Sequence, residues 1–202
     1  MYEWIDATEN NKCIIAVFMD LRRAFETVSR NGLLEKLKKY GFSQRSYYWM
    51  KSYLSYRWQK TKIGDKTSSL ICVQQGLPQG SRLSNLLFVL FVNDLPHQMR
   101  DVKINLFADD ALVYIAGNNP LEMSIKMNEN LAEFHEWLKF NQMSLNTSKC
   151  NTLIINENAN NLPDIRINDE VIENKNCVKC LRVCLRVFGL MINSALWTTL
   201  KN

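Results

Sequence analysis

The sequence predicts an α+β fold in which helices cover one face of an antiparallel sheet. Three observations carry this. Short apolar runs rich in β-branched residues read as strands and are joined in hairpins at turn residues. Longer stretches repeat apolar residues at three- and four-residue spacing, as helices do. The two kinds alternate irregularly, unlike the regular strand–helix repeat of a parallel sheet. No internal repeat or low-complexity linker interrupts them.

In chain order, Cys13 to Leu21 (CIIAVFMDL) is an apolar run and predicts a buried strand ending in a charge. Asn31 to Tyr40 places Leu33, Leu34 and Leu37 on one helical face and stops at Gly41. A second helix is expected over Gln44 to Tyr56, with Tyr47, Tyr48, Trp49, Met50 and Leu54 supplying an aromatic face. Trp58 to Ile63 and Ser69 to Val73 suit a hairpin turning at Gly64-Asp65. After the loop Gly76-Leu77-Pro78-Gln79-Gly80, a helix begins near Ser81 or Ser84 and runs to about Asp94. Ile104 to Phe107 and Leu112 to Ile115 predict a hairpin with Asp109 and Asp110 at its tip. A long amphipathic helix follows from about Pro120, with Met127, Leu131, Phe134 and Leu138 on its apolar side. Leu145 to Ile155 returns as a strand, and Asp164 to Glu173 suits a hairpin turning at Asn168-Asp169.

Composition narrows the function classes. With 47% hydrophobic residues and 22% charged over 202 residues, the chain can bury a core and is no disordered tail. A formal net charge of +5 permits a nucleic-acid partner without demanding one. Met1 to Asn11 (MYEWIDATENN) is polar and acidic, unlike a secretory leader. The longest apolar stretch, Leu86 to Val92 (LLFVLFV), is far shorter than the roughly 20 residues of a membrane span and reads as a core helix. The expectation is an intracellular protein, nuclear and/or cytoplasmic, with no membrane association and its six cysteines reduced.

Chemistry concentrates in carboxylates. Asp20 closes an apolar strand, and Asp109-Asp110 sit at the tip of an apolar hairpin. Charges beside buried strands are costly unless paired or bound to metal. If the two elements were neighbours in one sheet, their oxygens would converge as hard ligands suited to Mg²⁺. Taken singly, each has a plainer reading: aspartates form polar turns, and Asp20 could cap a helix.

The ordered set says more. Val17-Phe18-Met19-Asp20-Leu21-Arg22-Arg23-Ala24-Phe25 resembles motif A of reverse transcriptases. Gly76-Leu77-Pro78-Gln79-Gly80-Ser81, with Leu83-Ser84 and Leu86-Leu87-Phe88, resembles motif B. Phe107-Ala108-Asp109-Asp110 resembles the motif C box, with Phe where Tyr is commoner, and Leu145-Asn146 with Lys149 resembles motif D. Leu33-Leu34, Lys36-Leu37 and Gly41, then Asn93-Asp94-Leu95-Pro96, look like the non-LTR, LINE/jockey-like branch of that family. The resemblance covers residues 13 to 155 and implies a polymerase palm, an antiparallel sheet packed on helices. A fingers-like insertion is expected at about 31–75. A degenerate start of the thumb is expected over 156–202.

By that resemblance the activity is RNA-directed DNA polymerisation, with dNTPs added to a DNA primer on an RNA template. Asp20 and Asp109 look like the principal ligands of two Mg²⁺ ions, for which Mn²⁺ could substitute. The Leu21 carbonyl helps, and Asp110 is the second motif C carboxylate. Phe25 resembles the steric gate that excludes a ribose 2′-OH, the oxygen that separates RNA from DNA. Gln79 and Gly80 look like the loop touching nucleotide and template, where glycine permits close backbone approach. Lys149 resembles the motif D lysine that protonates the leaving pyrophosphate; its plainer reading is a solvated surface lysine.

Departures from the pattern spare every metal ligand: Glu26 stands for Asp, Asn85 for Pro and Cys150 for Thr. After the last hairpin, Val178-Lys179-Cys180-Leu181-Arg182-Val183 carries Cys and Arg where the family has Tyr and Gly. Cys177, Cys180 and Cys184 raise a zinc reading, but no second Cys/His pair follows to complete four ligands. The motifs begin close to the first residue, so the expectation is a fragment without upstream fingers and with feeble activity. The alternative is an inactive, truncated retroelement remnant that binds nucleic acid weakly.

Overall fold

In the computed structural model, residues 2–155, 163–168, 170–175, 177–180 and 183–186 are described, the last two segments as backbone. Along the chain the elements are α1 (Tyr2–Glu9), β1 (Cys13–Asp20), α2 (Ala24–Thr27), α3 (Arg30–Lys39), α4 (Gln44–Leu54), β2 (Arg57–Gln59), β3 (Lys62–Ile63), β4 (Lys66–Thr67) and β5 (Ile71–Val73). There follow α5 (Arg82–Val92), β6 (Lys103–Phe107), β7 (Asp110–Gly117), α6 (Pro120–Phe140), β8 (Asn151–Ile155), β9 (Arg166–Ile167), β10 (Glu170–Val171), β11 (Cys177–Cys180) and β12 (Val183–Arg186). They form two compact units, one of residues 1–21, 96–136 and 145–202, the other of residues 22–95 and 137–144.

The first unit is built on an antiparallel sheet of order β6-β7-β1-β8. β1 is buried on both faces along its first seven residues, which explains its unbroken apolar run where a half-exposed strand would alternate. Ala16, Phe18, Tyr114 and Leu153 make a cluster on one face, with Trp4, Leu112 and Ile155 packed against it. Trp4 comes from α1, an element that the polar, acidic reading of Met1 to Asn11 did not foresee. Its ring meets Tyr114 edge-on at 5.5 Å. The neighbouring Glu3 carboxylate accepts from the Tyr114 hydroxyl at 2.5 Å and from Lys103 at 2.6 Å. Burial first, and then that carboxylate, push the Tyr114 hydroxyl up to about 12. In α6, Met123, Met127, Leu131 and Phe134 are buried at the expected spacing.

The strand expected over Leu145 to Ile155 is broken. Leu145 makes only an isolated bridge to Leu21, Thr147–Lys149 forms a tight 3₁₀ turn, and the ladder resumes at Asn151. The turn keeps its backbone bonds to itself: the Lys149 N–H donates to the Asn146 carbonyl at 2.9 Å and the Cys150 N–H to the Thr147 carbonyl at 3.0 Å, while Ser148 Oγ donates to Asn146 Oδ1 at 2.8 Å. Beyond β8, the β9–β10 hairpin pairs Ile167 with Glu170, and Asn168 takes φ +55. Asp169, expected in that turn, lies outside the described residues. Asn128 of α6 anchors the hairpin, donating to the Asp164 carbonyl at 3.0 Å and accepting from the Arg166 N–H at 2.9 Å. β11 and β12 pair antiparallel. Leu181, the altered residue Arg182, the side chains of Cys177, Cys180 (the other altered residue) and Cys184, and residues 187–202 lie outside the described residues.

The second unit packs α3 against α4 and α5. Ser29 and Ser43 cap α3 and α4, accepting from Gly32 and Ser46 N–H groups. Gly41 ends α3 at φ +81. Leu33, Leu37, Leu54, Leu87 and Phe91 are wholly buried. Lys36 is held among them: its Nζ donates to the Phe91 carbonyl and to Asp94, both at 2.7 Å, over the rings of Phe91 and Trp137. The expected hairpin turns at Gly64-Asp65, with Ile63 opposite Lys66, but splits into two short ladders, β2–β5 and β3–β4. Two expectations need correction. On the aromatic face of α4, Tyr48 and Trp49 are exposed, Tyr47 and Met50 are half-buried, and only Leu54 is buried. α5 is not a wholly buried core helix, because Leu86 and Val89 are exposed. Among the described residues no helix is long and apolar enough to cross a membrane.

Candidate active site

Where β1 runs out of apolar residues it ends at Asp20, and β7 begins at Asp110. The antiparallel register sets these two directly opposite one another, so both side chains rise from the same face. Phe107 pairs with Asp110, which leaves Ala108 and Asp109 as the two-residue turn. Ala108 sits at φ +53, a left-handed position where an alanine is strained. The turn is hooked to β1 through the Leu21 N–H, which donates to the Asp109 carbonyl at 3.0 Å. On the other side the Asn146 N–H donates to the Asp20 carbonyl at 2.9 Å.

Like charges directly opposite in a sheet repel, and the electrostatics show it. The Asp110 carboxyl is held above its ordinary value, first by burial, then by the charges of Asp109 and Asp20, with Lys149 pulling the other way. Lys149, on the tight turn before β8, donates to Asp20 Oδ2 at 3.3 Å. Its side chain is 63% exposed, so this ion pair contributes little stability. Asp20, Leu21, Asp109, Asp110 and Lys149 are thus gathered at one end of the sheet in the first unit. Among the described residues no group of three His, Cys, Asp or Glu is already drawn close enough to enclose a metal ion.

The other expected residues lie in the second unit. Phe25, on α2, stacks on Phe88 at 4.6 Å. The loop before α5 is tied to that segment: the Gly76 N–H donates to the Val28 carbonyl at 2.9 Å and the Leu77 N–H to the Phe25 carbonyl at 2.8 Å. Gly76 has φ +80, and a Cβ there would come within 2.6 Å of the Glu26 carbonyl oxygen, so only glycine fits. Gly80 also has φ +80 but faces open space. Gln79 is exposed and donates to Glu26 Oε1 at 3.2 Å. Ser84 Oγ, buried at the start of α5, donates to the Pro78 carbonyl at 2.6 Å and fixes the loop's far end.

A family model described as reverse transcriptase (RNA-dependent DNA polymerase) matches residues 3–181. The chain belongs to the reverse transcriptase family. Its relatives include the RNA-directed DNA polymerase from mobile element jockey of Drosophila melanogaster, 28% identical over 188 residues, 90% of this chain and 20% of the relative. The probable RNA-directed DNA polymerase from transposon BS of the same species is 31% identical over 152 residues, 72% of this chain and 17% of the relative. The chain therefore spans about a fifth of these relatives and corresponds to the reverse transcriptase domain of a non-LTR element. Among solved structures, apo telomerase from Candida tropicalis aligns with a TM-score of 0.62 at 12% identity, over 92% of this chain and 38% of that one. The same telomerase in complex with a fragment of telomeric RNA aligns with a TM-score of 0.61, over 98% of this chain and 36% of that one. At that identity the likeness shows the fold, a polymerase palm of α+β type.

Sequence reasoning on this reverse transcriptase missed one residue that builds the loop. Arg30 donates through Nη1 to the Val73 carbonyl at 2.6 Å, through Nε to that of Gly76 at 2.8 Å and through Nη2 to that of Gln75 at 3.1 Å. The signal available was its place: a basic side chain in the first turn of α3 opposes the helix dipole and needs another reason to be there. Glu26, read only as a departure from Asp, is the acceptor that holds Gln79.

Proposed function

We propose that this reverse transcriptase domain adds deoxynucleoside triphosphates to the 3′ end of a DNA primer on an RNA template, inside the cell, in nucleus or cytoplasm. The observation that carries the reading is the register pair Asp20–Asp110 with Asp109 in the adjoining turn. In this reading residues 1–155 are the palm with the fingers-like insertion at about 31–75, and 156–202 begin the thumb.

Reverse transcriptases work with divalent metal ions, and the donor set here fits them. Two carboxylates opposed across a ladder, with Asp110 already resisting ionisation, are an arrangement that added positive charge relieves. Mg²⁺ takes one or two carboxylates and completes its shell with water and substrate phosphates, so a pair suffices where no group of three encloses an ion. Asp20, Asp109 and Asp110, with the Leu21 carbonyl, would hold two Mg²⁺ ions, and Mn²⁺ would serve in their place. Such ions, when bound, stabilise the charge developing on the attacking and leaving oxygens. Lys149 Nζ gives its proton to the leaving pyrophosphate. Phe25 presents a flat ring to the sugar and excludes a 2′-OH. Gln79 and Gly80 contact the incoming nucleotide and the template, the bare Gly80 Cα allowing close approach.

The test is primer extension on poly(rA) primed with oligo(dT), in Mg²⁺ or Mn²⁺. It compares this chain, its Asp109→Asn, Asp110→Asn variant, and a longer version supplied with fingers and thumb. Extension by the chain or its longer version that the double substitution abolishes supports the reading. Extension in neither, or extension indifferent to the substitutions, overturns it. In an active version Phe25→Ala should raise ribonucleotide incorporation; unchanged discrimination would remove the gate assignment.

A further inference from the structure

The helix over Gln44 to Tyr56 was read from sequence as carrying an aromatic face, and the structure leaves much of that face, and Trp58 of the hairpin after it, open to solvent. Tyr48, Trp49 and Trp58 are each more than half exposed, and Tyr56 is 94% exposed. An aromatic helix that buries only one residue wastes most of the stability its rings could supply. These rings are also ordered. Trp49 and Tyr53 stack face to face, 5.6 Å apart and 6° from parallel, and the Arg57 guanidinium lies 6.0 Å from the Tyr53 ring centre. Trp49 and Tyr53 are four residues apart on one face of α4, and Arg57, at the start of β2, brings its guanidinium towards the Tyr53 ring.

Charge is concentrated on the same segment. Between Gln44 and Val73 the basic residues are Arg45, Lys51, Arg57, Lys60, Lys62 and Lys66, against the single acidic Asp65. That excess equals the +5 of the whole chain, so the remainder is neutral in sum. None of these six cations forms an ion pair among the described residues.

We infer that α4 and the β2–β5 hairpin form a binding platform for single-stranded nucleic acid, in which bases stack on Trp49 and Trp58 and phosphates meet the lysines. Flat exposed rings interleaved with unpaired cations suit a strand with free base faces; a duplex hides those faces. A second copy of this same face would be repelled by its charge. Tyr53 ties the platform to the rest of the unit, its hydroxyl donating to Ser81 Oγ at 2.8 Å, beside the Gln79-Gly80 loop. The inference stands on this surface alone and does not require the catalytic reading.

Fluorescence anisotropy of the full 202-residue chain with labelled single-stranded RNA and DNA of about a dozen nucleotides tests it. The measurement is made without divalent ions, so that its result is independent of polymerase activity. Trp49→Ala should weaken binding about tenfold, the scale of one lost base stack, while Trp49→Phe should largely retain it. Lys60→Gln with Lys62→Gln should flatten the dependence of log affinity on log salt by roughly 0.7 for each phosphate contact removed. Binding to RNA and DNA single strands alike agrees with stacking, and a preference for one names the natural strand. Four results would overturn the platform: no binding, tighter binding to duplex, Trp49→Ala binding as the parent does, or Trp49→Ala converting a dimer to monomers.

Discussion

The carboxylate end of the sheet and the Gly76–Gly80 loop are held by different means. At the sheet end, strand register does the positioning: Asp20 and Asp110 are opposed because β1 and β7 pair residue for residue, and the turn is only two residues long. The loop has no ladder to hold it. Besides two backbone hydrogen bonds, to the Val28 and Phe25 carbonyls, its shape depends on one guanidinium, one buried hydroxyl and a glycine pressed against a neighbouring backbone. A register tolerates side-chain changes, whereas a strut fails when a single atom group is lost. Substitutions in the loop should therefore cost far more than those at the sheet end.

The largest effect is expected at Gly76. Gly76→Ala puts a methyl group 2.6 Å from a carbonyl oxygen at φ +80 and should lose about 3–4 kcal/mol in denaturant unfolding. A loss below about 1 kcal/mol would mean that the loop is freer than described. Arg30→Ala should follow at about 2–3 kcal/mol, because three carbonyls lose a charged donor at once. Arg30→Lys should recover little, since one ammonium cannot reproduce the planar fork.

The sheet end should respond weakly. Ala108→Gly relieves a left-handed alanine but adds unfolded-chain entropy, leaving a net gain of a few tenths of a kcal/mol. Asp110→Asn should also stabilise by a few tenths of a kcal/mol at pH 7, the scale of one opposed like-charge pair. The sign follows from linkage. The Asp110 carboxyl is raised above 3.8 in the folded chain, so its ionised form is penalised there. That penalty is present above the raised value and disappears as pH falls through it towards 3.8. The advantage of Asp110→Asn should vanish over the same window, as thermal unfolding at pH 7 and under acid would show.

Legibility in the sequence divides along the same line. The strands around Asp20 and Asp109-Asp110 were readable because β-branched runs and turn formers are local signals, whereas the pairing of β1 with β7 joins residues some 90 apart and was implied only by the family resemblance. The break between Leu145 and Asn151 was not readable, because there the backbone of Lys149 and Cys150 bonds within a tight turn, to Asn146 and Thr147, instead of extending the ladder. Arg30 was invisible for a different reason: its partners are backbone carbonyls more than 40 residues away, which no pattern of side chains marks. The α4 aromatics had the right period and the wrong destination. Periodicity shows that a face exists, and only packing shows whether anything covers it.

The proposed function requires that Asp20 and Asp110, opposed across the β1–β7 ladder, take up divalent ions. Thermal unfolding with and without Mn²⁺, in the presence of a deoxynucleoside triphosphate, decides this. Without ions the Asp110→Asn chain should melt slightly above the parent. With Mn²⁺ the parent's midpoint should rise and overtake it, while Asp110→Asn and Asp20→Asn stay nearly unmoved. An equal rise in all three chains would contradict the claim, because the ion would then be held elsewhere.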